Sequence, residues 1–402
     1  MPRSFLALQG TASHFFSRLS ESLSEKGHSV QRINFCGGDL LYSSGETRAL
    51  NFTERTQDLP AWYEQKIGSG SFSDIFLFGD CRAIHTPLHP VAERHGVRVH
   101  VFEEGYVRPY WLTLEQYGVN GRSRMPRDPA WYLEHRFASV PQAQATGYNL
   151  YERAWHDIRY RLGNAFYAAR FPGYKSHRPY NGMKEYSALA ARFARQKGHR
   201  DDAVRATTDL VNSKRSCYLF PLQLNSDSQI VVHSPFSGGV REAIERVMRS
   251  FAQHAPADAL LVIKNHPLDT GLVEYKRFAR ELAKSLDMAQ RLVYLEAGHL
   301  PTLLEHSRGV VVVNSTVGLS ALHHRRPLVA LGNAVYDMPG MTWQGRLDDF
   351  WLDASPPDME LYQAFLHYVI CNTQINGDFY TQRGIAMATA GAVARLEACG
   401  DA

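Results

Sequence analysis

The sequence predicts an α/β fold made of two doubly wound halves. Three observations point to it. Short apolar runs of strand length alternate with helical stretches through both halves of the 402 residues, several of these runs end on polar residues, and a strand-poor segment of about 127–210 separates the two series. In the first half, Ser4 to Gln9 reads as a strand and Phe15 to Lys26 as a helix stopped by Gly27. Val30 to Phe35 is a second strand before the Gly37-Gly38 turn. Ile75 to Phe78 ends at Gly79-Asp80, and Val97 to Phe102 runs into Glu103-Glu104-Gly105. The middle segment, punctuated by Pro172-Gly173 and Pro179, reads as helical. Strands resume at Tyr218 to Leu222, Ile230 to Val232, Leu260 to Lys264, Val293 to Leu295, Val310 to Val313 and Leu328 to Leu331, and helices follow near 357–374 and 380–397. The expected organisation is two Rossmann-like domains facing across a cleft. The first, 1–210, includes the linking helices, and the second, 211–402, includes the C-terminal helices.

Apolar residues make up 44% of the chain and charged residues 21%, which excludes a disordered or fibrous protein. The five cysteines, Cys36, Cys81, Cys217, Cys371 and Cys399, form no CxxC pair, which suits structural thiols in a reduced, cytoplasmic protein. Met1 to Gly10 lacks the pattern of a signal peptide, so secretion is not expected, and no apolar run reaches the eighteen residues of a membrane span. The net charge of +4 hides a concentration: residues 151–200 hold eleven Lys/Arg against three Asp/Glu, a local +8. Trp155, Tyr160, Phe166, Tyr167, Phe171, Tyr174, Tyr180, Tyr186 and Phe193 are interleaved with them. Basic helices with aromatics suit an anionic surface such as acidic lipid headgroups. Nucleic acid is the rival partner, and a solvated face whose aromatics pack inward is the plain alternative.

Three places could carry chemistry. Glu103 and Glu104 lie at a strand end, where alternation points neighbouring side chains to opposite sides, so that one carboxylate can act on a hydroxyl or a sugar carbon while the other braces it. A solvated acidic turn is the alternative. Lys264-Asn265-His266-Pro267 closes a second strand. Proline keeps His266 extended, an imidazole there can protonate a leaving phosphate, and Lys264 can add charge. A capping histidine is the alternative, and His89-Pro90 repeats the dipeptide without a strand before it. Asn314-Ser315-Thr316-Val317-Gly318 follows a third strand and opens a helix, where hydroxyls and free N–H groups suit a phosphate or an ordinary N-cap. Other chemistry lacks its parts: no GxxxxGK[ST], HExxH, GxSxG or DxD occurs. His85 and His89 are four apart, but Pro87 between them argues against a shared helix face, so no metal is expected.

The combination of a carboxylate-carboxylate-Gly motif, a strand-His-Pro motif and a Ser/Thr turn before a helix resembles bacterial transferases that use CMP-activated acidic sugars on a GT-B scaffold. Further matching stretches are Phe5-Leu6-Ala7-Leu8-Gln9-Gly10, Gly79-Asp80-Cys81-Arg82, Phe102 to Pro109, Pro221-Leu222-Gln223, Ser226 to Gln229 and Asn314 to Gly318. From about residue 4 to 345 the chain is similar to the capsule polysaccharide biosynthesis/export family, KpsS/LipB type. The resemblance implies an N-terminal acceptor domain and a C-terminal CMP-sugar domain. It implies a retaining transferase that moves β-Kdo from CMP-β-Kdo to a phosphatidylglycerol-type lipid, without metal or further cofactor, at the inner face of the cytoplasmic membrane beside other capsule assembly proteins. Carried over, Glu104 is the base or nucleophile, Glu103 supports it, and His266 meets the CMP phosphate. Ser315 and Thr316, with Asn314 and Lys264, hold the donor; Arg82 and Arg108 are weaker candidates for its carboxylate, with surface ion pairing the default for either. Glu stands at 104 where related transferases often have Asp, so the longer side chain leaves base and nucleophile both open. Arg159, Arg161, Arg170 and Lys175 are the expected membrane contacts. A non-catalytic export or assembly component and a nucleotide-sugar epimerase are the competing functions.

Overall fold

The structure, a computed structural model, describes residues 1–43, 48–137, 139–176, 187–188, 192, 201, 203–213 and 215–398. It divides into two compact units, one of residues 1–124, 137–177 and 367–402, the other of 125–136 and 178–366. The expected boundary at 210 is therefore corrected twice. The C-terminal segment belongs to the first unit, and most of the linking segment beyond 177 to the second. Tyr180, Tyr186, Phe193 and Cys399 lie outside the described residues.

The first unit is built on β1 (Ser4–Ala7), β2 (Ser29–Asn34), β3 (Arg48–Asn51), β4 (Asp74–Phe78), β5 (Arg98–Glu104) and β6 (Trp111–Gln116). The second holds β7 (Cys217–Pro221), β8 (Leu260–Lys264), β9 (Leu292–Leu295), β10 (Ser307–Val312) and β11 (Leu328–Ala330). β12 (Gln374–Asn376) returns to the first. The first sheet has the order β12-β6-β5-β4-β1-β2-β3, with β1 to β5 mutually parallel and β6 antiparallel to its neighbours. Strand alternation splits its core into two layers. Phe5, Ala7, Phe76 and Phe102 face one side with Phe15, Phe16, Ile385, Ala388 and Leu396, while Leu6, Leu8, Ile75, Leu77, Val99 and Val101 face the other with Tyr63 and Leu88. The final helix, Gln382–Ala398, packs on the first, Phe15–Glu25, which is why the C-terminus joins this unit. Gly27, at φ 88°, stops that first helix as expected.

The second sheet is wholly parallel, in the order β11-β10-β7-β8-β9. Tyr218, Phe220, Leu261, Ile263, Val311 and Val329 form its core with the helices Gly239–His254 and Leu347–Asp353. One expected strand is wrong: Ile230 lies in a short helix, Ser228–Val231, whose start Asp227 caps by accepting from the Gln229 N–H at 2.9 Å. A three-residue apolar run has no period to read, and the cap decided it. In both sheets the strand order reverses beside the first strand, between β1 and β4 and between β7 and β10. Such reversals open a crevice at the carboxyl edge.

Candidate active site

At the carboxyl edge of the first sheet, Glu103 and Glu104 are the last residues of β5, paired with Thr113 and Leu112 of β6, so they sit within the strand instead of after it. Their side chains diverge as alternation requires. Glu103 Oε1 accepts the Glu104 N–H at 2.9 Å, and its other oxygen lies beside Gly79, on the side of Arg82. Glu104 points toward the C-terminal segment. Its Oε1 accepts the Tyr380 hydroxyl at 3.2 Å and pairs with Arg153 at 3.3 Å, while the Arg153 guanidinium stacks over the Tyr380 ring at 5.1 Å. Burial works against the charge of Arg153, but Tyr380 and Glu104 outweigh it and raise its pKa. Burial, then the Glu104 charge, raises that of Tyr380, which therefore stays a proton donor. Half-buried Glu104 is held by a fixed donor and a fixed cation, the setting of a positioned carboxylate.

Arg82 spans the reversal between β1 and β4, donating to Gln9 Oε1 at 2.9 Å and the Gly10 carbonyl at 3.0 Å. Gln9 in turn donates to Asp39 at 3.0 Å, and Tyr160 donates to Asp39 at 2.7 Å. Arg108 is exposed, its Nε donating to the Gly105 carbonyl at 3.2 Å, directly before a cis bond to Pro109. A groove of about 990 Å³ runs in the same unit, with His14, His156, Tyr380, Ile385 and Val393 in its wall. His85 Nδ1 donates to the Gly79 carbonyl, 2.7 Å away, and lies outside the helix Leu88–Arg94 that contains His89. The two histidines do not share a helix face.

In the second unit, β8 ends at Lys264, and the turn after it is locked by its own side chains. Asn265 Oδ1 accepts the His266 N–H at 2.8 Å, and His266 Nδ1 accepts the Leu268 N–H at 3.1 Å. With Nδ1 an acceptor, the ring proton of neutral His266 sits on Nε2. Asn265 also donates to Asp269 at 3.2 Å and Glu296 at 3.1 Å, and Arg192 pairs with the same two acids. Lys264 is buried, its ammonium 3.4 Å from the Asn265 carbonyl, and burial followed by Arg192 lowers its pKa. A neighbouring cavity of about 600 Å³ is lined by Arg192, Asn265, Asp269 and Glu296, but by neither Lys264 nor His266.

Asn314 takes a different part from the one expected. Its amide donates to the Gln229 and His233 carbonyls at 2.8 and 3.1 Å and accepts from Gln223 at 3.0 Å, so the side chain is spent tying the ends of β7 and β10 across the reversal. Ser315 Oγ accepts the Val317 N–H at 3.2 Å, and half-buried Thr316 precedes the helix Val317–His323 without capping it through its side chain.

The described helix of the basic segment has two faces. On the helix Leu150–Phe166, Tyr160 and His156 turn inward, to Asp39 and to the Tyr42 hydroxyl at 2.8 Å, whereas Trp155 and Phe166 are exposed. Arg161 pairs with Asp157 at 2.9 Å and Arg159 stacks over Tyr42 at 5.5 Å, while Arg170 and Lys175 are exposed. Sequence reading missed Tyr380 and Arg153. Tyr380 stands 276 positions from Glu104, and no local pattern marks it.

The capsule polysaccharide biosynthesis protein family matches residues 73–380, a span that runs from β4 to Tyr380 itself. The chain belongs to this family. Two of its relatives cover nearly the whole chain. The capsule polysaccharide export protein KpsS of Escherichia coli is 35% identical over 379 residues, 94% of this chain and 97% of its own. The capsule polysaccharide modification protein LipB of Neisseria meningitidis serogroup A is 34% identical over 392 residues, 94% and 91% respectively. Among solved structures, Thermosulfurimonas dismutans KpsC, β-Kdo 2,7 transferase, covers 99% of both chains at 15% identity with a TM-score of 0.43. In this capsule polysaccharide biosynthesis protein, Glu103, Glu104, Arg153, His266, Ser315 and Tyr380 all fall within the matched span.

Proposed function

We propose that the protein is a retaining glycosyltransferase that moves β-Kdo from CMP-β-Kdo to a phosphatidylglycerol-type lipid, working at the cytoplasmic face of the inner membrane alongside other capsule assembly proteins. The observation that carries the reading is Glu104, a carboxylate fixed by Tyr380 and Arg153 at the carboxyl edge of a doubly wound sheet, in a chain of the capsule family. In this reading Glu104 is the base or the nucleophile. As base it takes the proton of the acceptor hydroxyl while that oxygen bonds to the anomeric carbon on the same face that CMP leaves, as retention requires. As nucleophile it bonds to that carbon from the face opposite CMP and is then displaced by the acceptor oxygen, whose proton passes to the phosphate of the departed CMP. The bond from the anomeric carbon to the phosphate oxygen breaks, and CMP leaves with the electron pair. His266, with its proton on Nε2, donates to the departing phosphate, and Ser315 and Thr316 offer hydroxyls to the same group. Glu103 holds the backbone of Glu104, and Arg82 and Arg108 supply cations for the sugar carboxylate. Lys264, buried as it is, contributes charge from within.

The test is incubation of purified protein with CMP-Kdo, generated in place, and a phosphatidylglycerol acceptor. Kdo-linked lipid is expected, reduced at least about a hundredfold in Glu104→Gln and in His266→Ala. Rearranged free sugar would replace the reading with epimerisation, and absence of any turnover would leave an export or assembly component, the role named for KpsS.

A further inference from the structure

We propose that the outward face of the helix Leu150–Phe166 inserts into the interfacial layer of an anionic phospholipid bilayer, holding the protein on the membrane through apolar contact as well as charge. This deepens the lipid-acceptor reading by naming the surface that meets the lipid.

Tyr151, Trp155, Ile158, Leu162 and Phe166 recur at spacings of four, three, four and four residues, so they form one line along the helix. They are exposed to 88, 59, 36, 63 and 81%. The opposite face is the one the fold uses, and it is polar or small. His156 binds Tyr42, Tyr160 binds Asp39 and Cys36, Asn164 accepts the Gly38 N–H at 2.7 Å, and Gly163 lies against Gly37. A Cβ on Gly37 would meet the Gly163 carbonyl at 2.1 Å, so the two backbones touch. A surface helix ordinarily buries its apolar stripe; this one buries polar groups and turns a tryptophan, two other aromatics and two aliphatics to solvent. Folding alone gives no return for that arrangement.

The surroundings identify the occupant. Arg159 and Arg161 flank the line on its two sides, and exposed Arg170 and Lys175 follow its C-terminal end. Of the acids on the helix, Asp157 is paired with Arg161, and Glu152 is engaged by the Asn149 amide at the N-terminus. Cations around an apolar line that carries tryptophan and tyrosine match the interface of an anionic leaflet, with rings at the headgroup level and guanidinium groups among the phosphates. A second copy of the chain would set the same arginines against each other across a two-fold axis, which disfavours it. Because the apolar line runs the length of the helix, contact along it would lay the helix in the plane of the interface; no described helix is long and apolar enough to cross a membrane.

Full-length protein is mixed with sedimentable vesicles of phosphatidylcholine with and without phosphatidylglycerol, at low and high salt. Wild type should bind the anionic vesicles, and a Leu162→Asp, Phe166→Asp double variant should lose at least about tenfold in partitioning at both salt concentrations. Arg170→Gln with Lys175→Gln should lose about tenfold at low salt and little at high salt, where charge is screened. Quenching of Trp155 by lipids brominated near the headgroup should disappear in Trp155→Phe. Unchanged circular dichroism and melting temperature show that the Asp variant folds, and Leu162→Ser with Phe166→Ser repeats the test with milder changes. Equal binding of wild type and the Asp and Ser double variants, no vesicle binding by wild type, or a wild-type dimer that the Asp changes dissociate would each overturn the proposal. Binding needs no donor, so stripe-dependent binding without transfer would sink the transferase reading alone, and transfer to lipid without it would sink this one alone.

Discussion

Tyr380→Phe removes one oxygen and leaves everything else in place. The lost group is the hydroxyl that donates to Glu104 at 3.2 Å, while the ring keeps its contact with Arg153. A hydrogen bond to a charged acceptor contributes about 1.5–3 kcal/mol. The Glu104 side chain is 29% exposed, so water replaces part of the bond and about 1–2 kcal/mol is the expected loss, a fall of roughly five- to thirtyfold in kcat. KM for the donor should stay near wild type, because Tyr380 positions the carboxylate and is not assigned to the donor. CMP release during transfer to lipid gives both quantities, and thermal unfolding close to wild type confirms that the fold is kept. A kcat within twofold of wild type would refute the assignment of Glu104 and its partner.

Two stability predictions follow. Asp74, fully buried at the amino end of β4, pairs with Arg3, with Arg98 at 2.9 Å and with His100 at 2.8 Å, so Asp74→Asn strands buried cations and should cost about 3 kcal/mol in urea unfolding. A loss under 1 kcal/mol would show that the cluster contributes little. Burial tends to raise the Asp74 pKa, but hydrogen bonds from His100, Arg3 and Ser73 outweigh it and hold it below the usual carboxylate range. Burial likewise depresses His100 despite Asp74. Both depressions give stability that is present above the ordinary values near 6.5 and 3.8 and lost as pH falls through the lowered ones. Wild type should therefore weaken progressively below about pH 6.5, with Asp74→Asn showing a flatter acid limb below pH 4. In the second unit, a Cβ on Gly318 would lie 2.1 Å from the Tyr336 hydroxyl, which donates to the Ser315 carbonyl. Gly318→Ala should destabilise by about 1–3 kcal/mol and disturb the Ser315 turn, and a change under 0.5 kcal/mol would contradict that packing.

What was readable in the chain was whatever repeats over short distances. Leu260–Lys264 is a strand over the bounds its apolar run sets, and the ends of β5, β8 and β10 carry the carboxylates, the histidine and the hydroxyls that chemical type alone singled out. β3 and β12 escaped because each is short and mostly polar, β12 pairing with β6 from far along the chain, and β6 escaped because it lies among turns just after β5. The aromatic content of the basic helix was visible, but its division into inward Tyr160 and outward Trp155 was not. That division depends on which face meets Asp39 and Gly37.

The sequence by itself determined the α/β class and the capsule-family resemblance and singled out Glu103, Glu104 and His266 as candidates, because periodicity and chemical type are properties of neighbours along the chain. Only the tertiary structure decided that residues after 366 rejoin the first unit, that Asn314 is a brace, and that Tyr380 and Arg153 hold Glu104. Those facts come from packing between segments tens to hundreds of positions apart, where the last helix covers the first and the residues before it bring Tyr380 to a strand end that no local pattern could foresee.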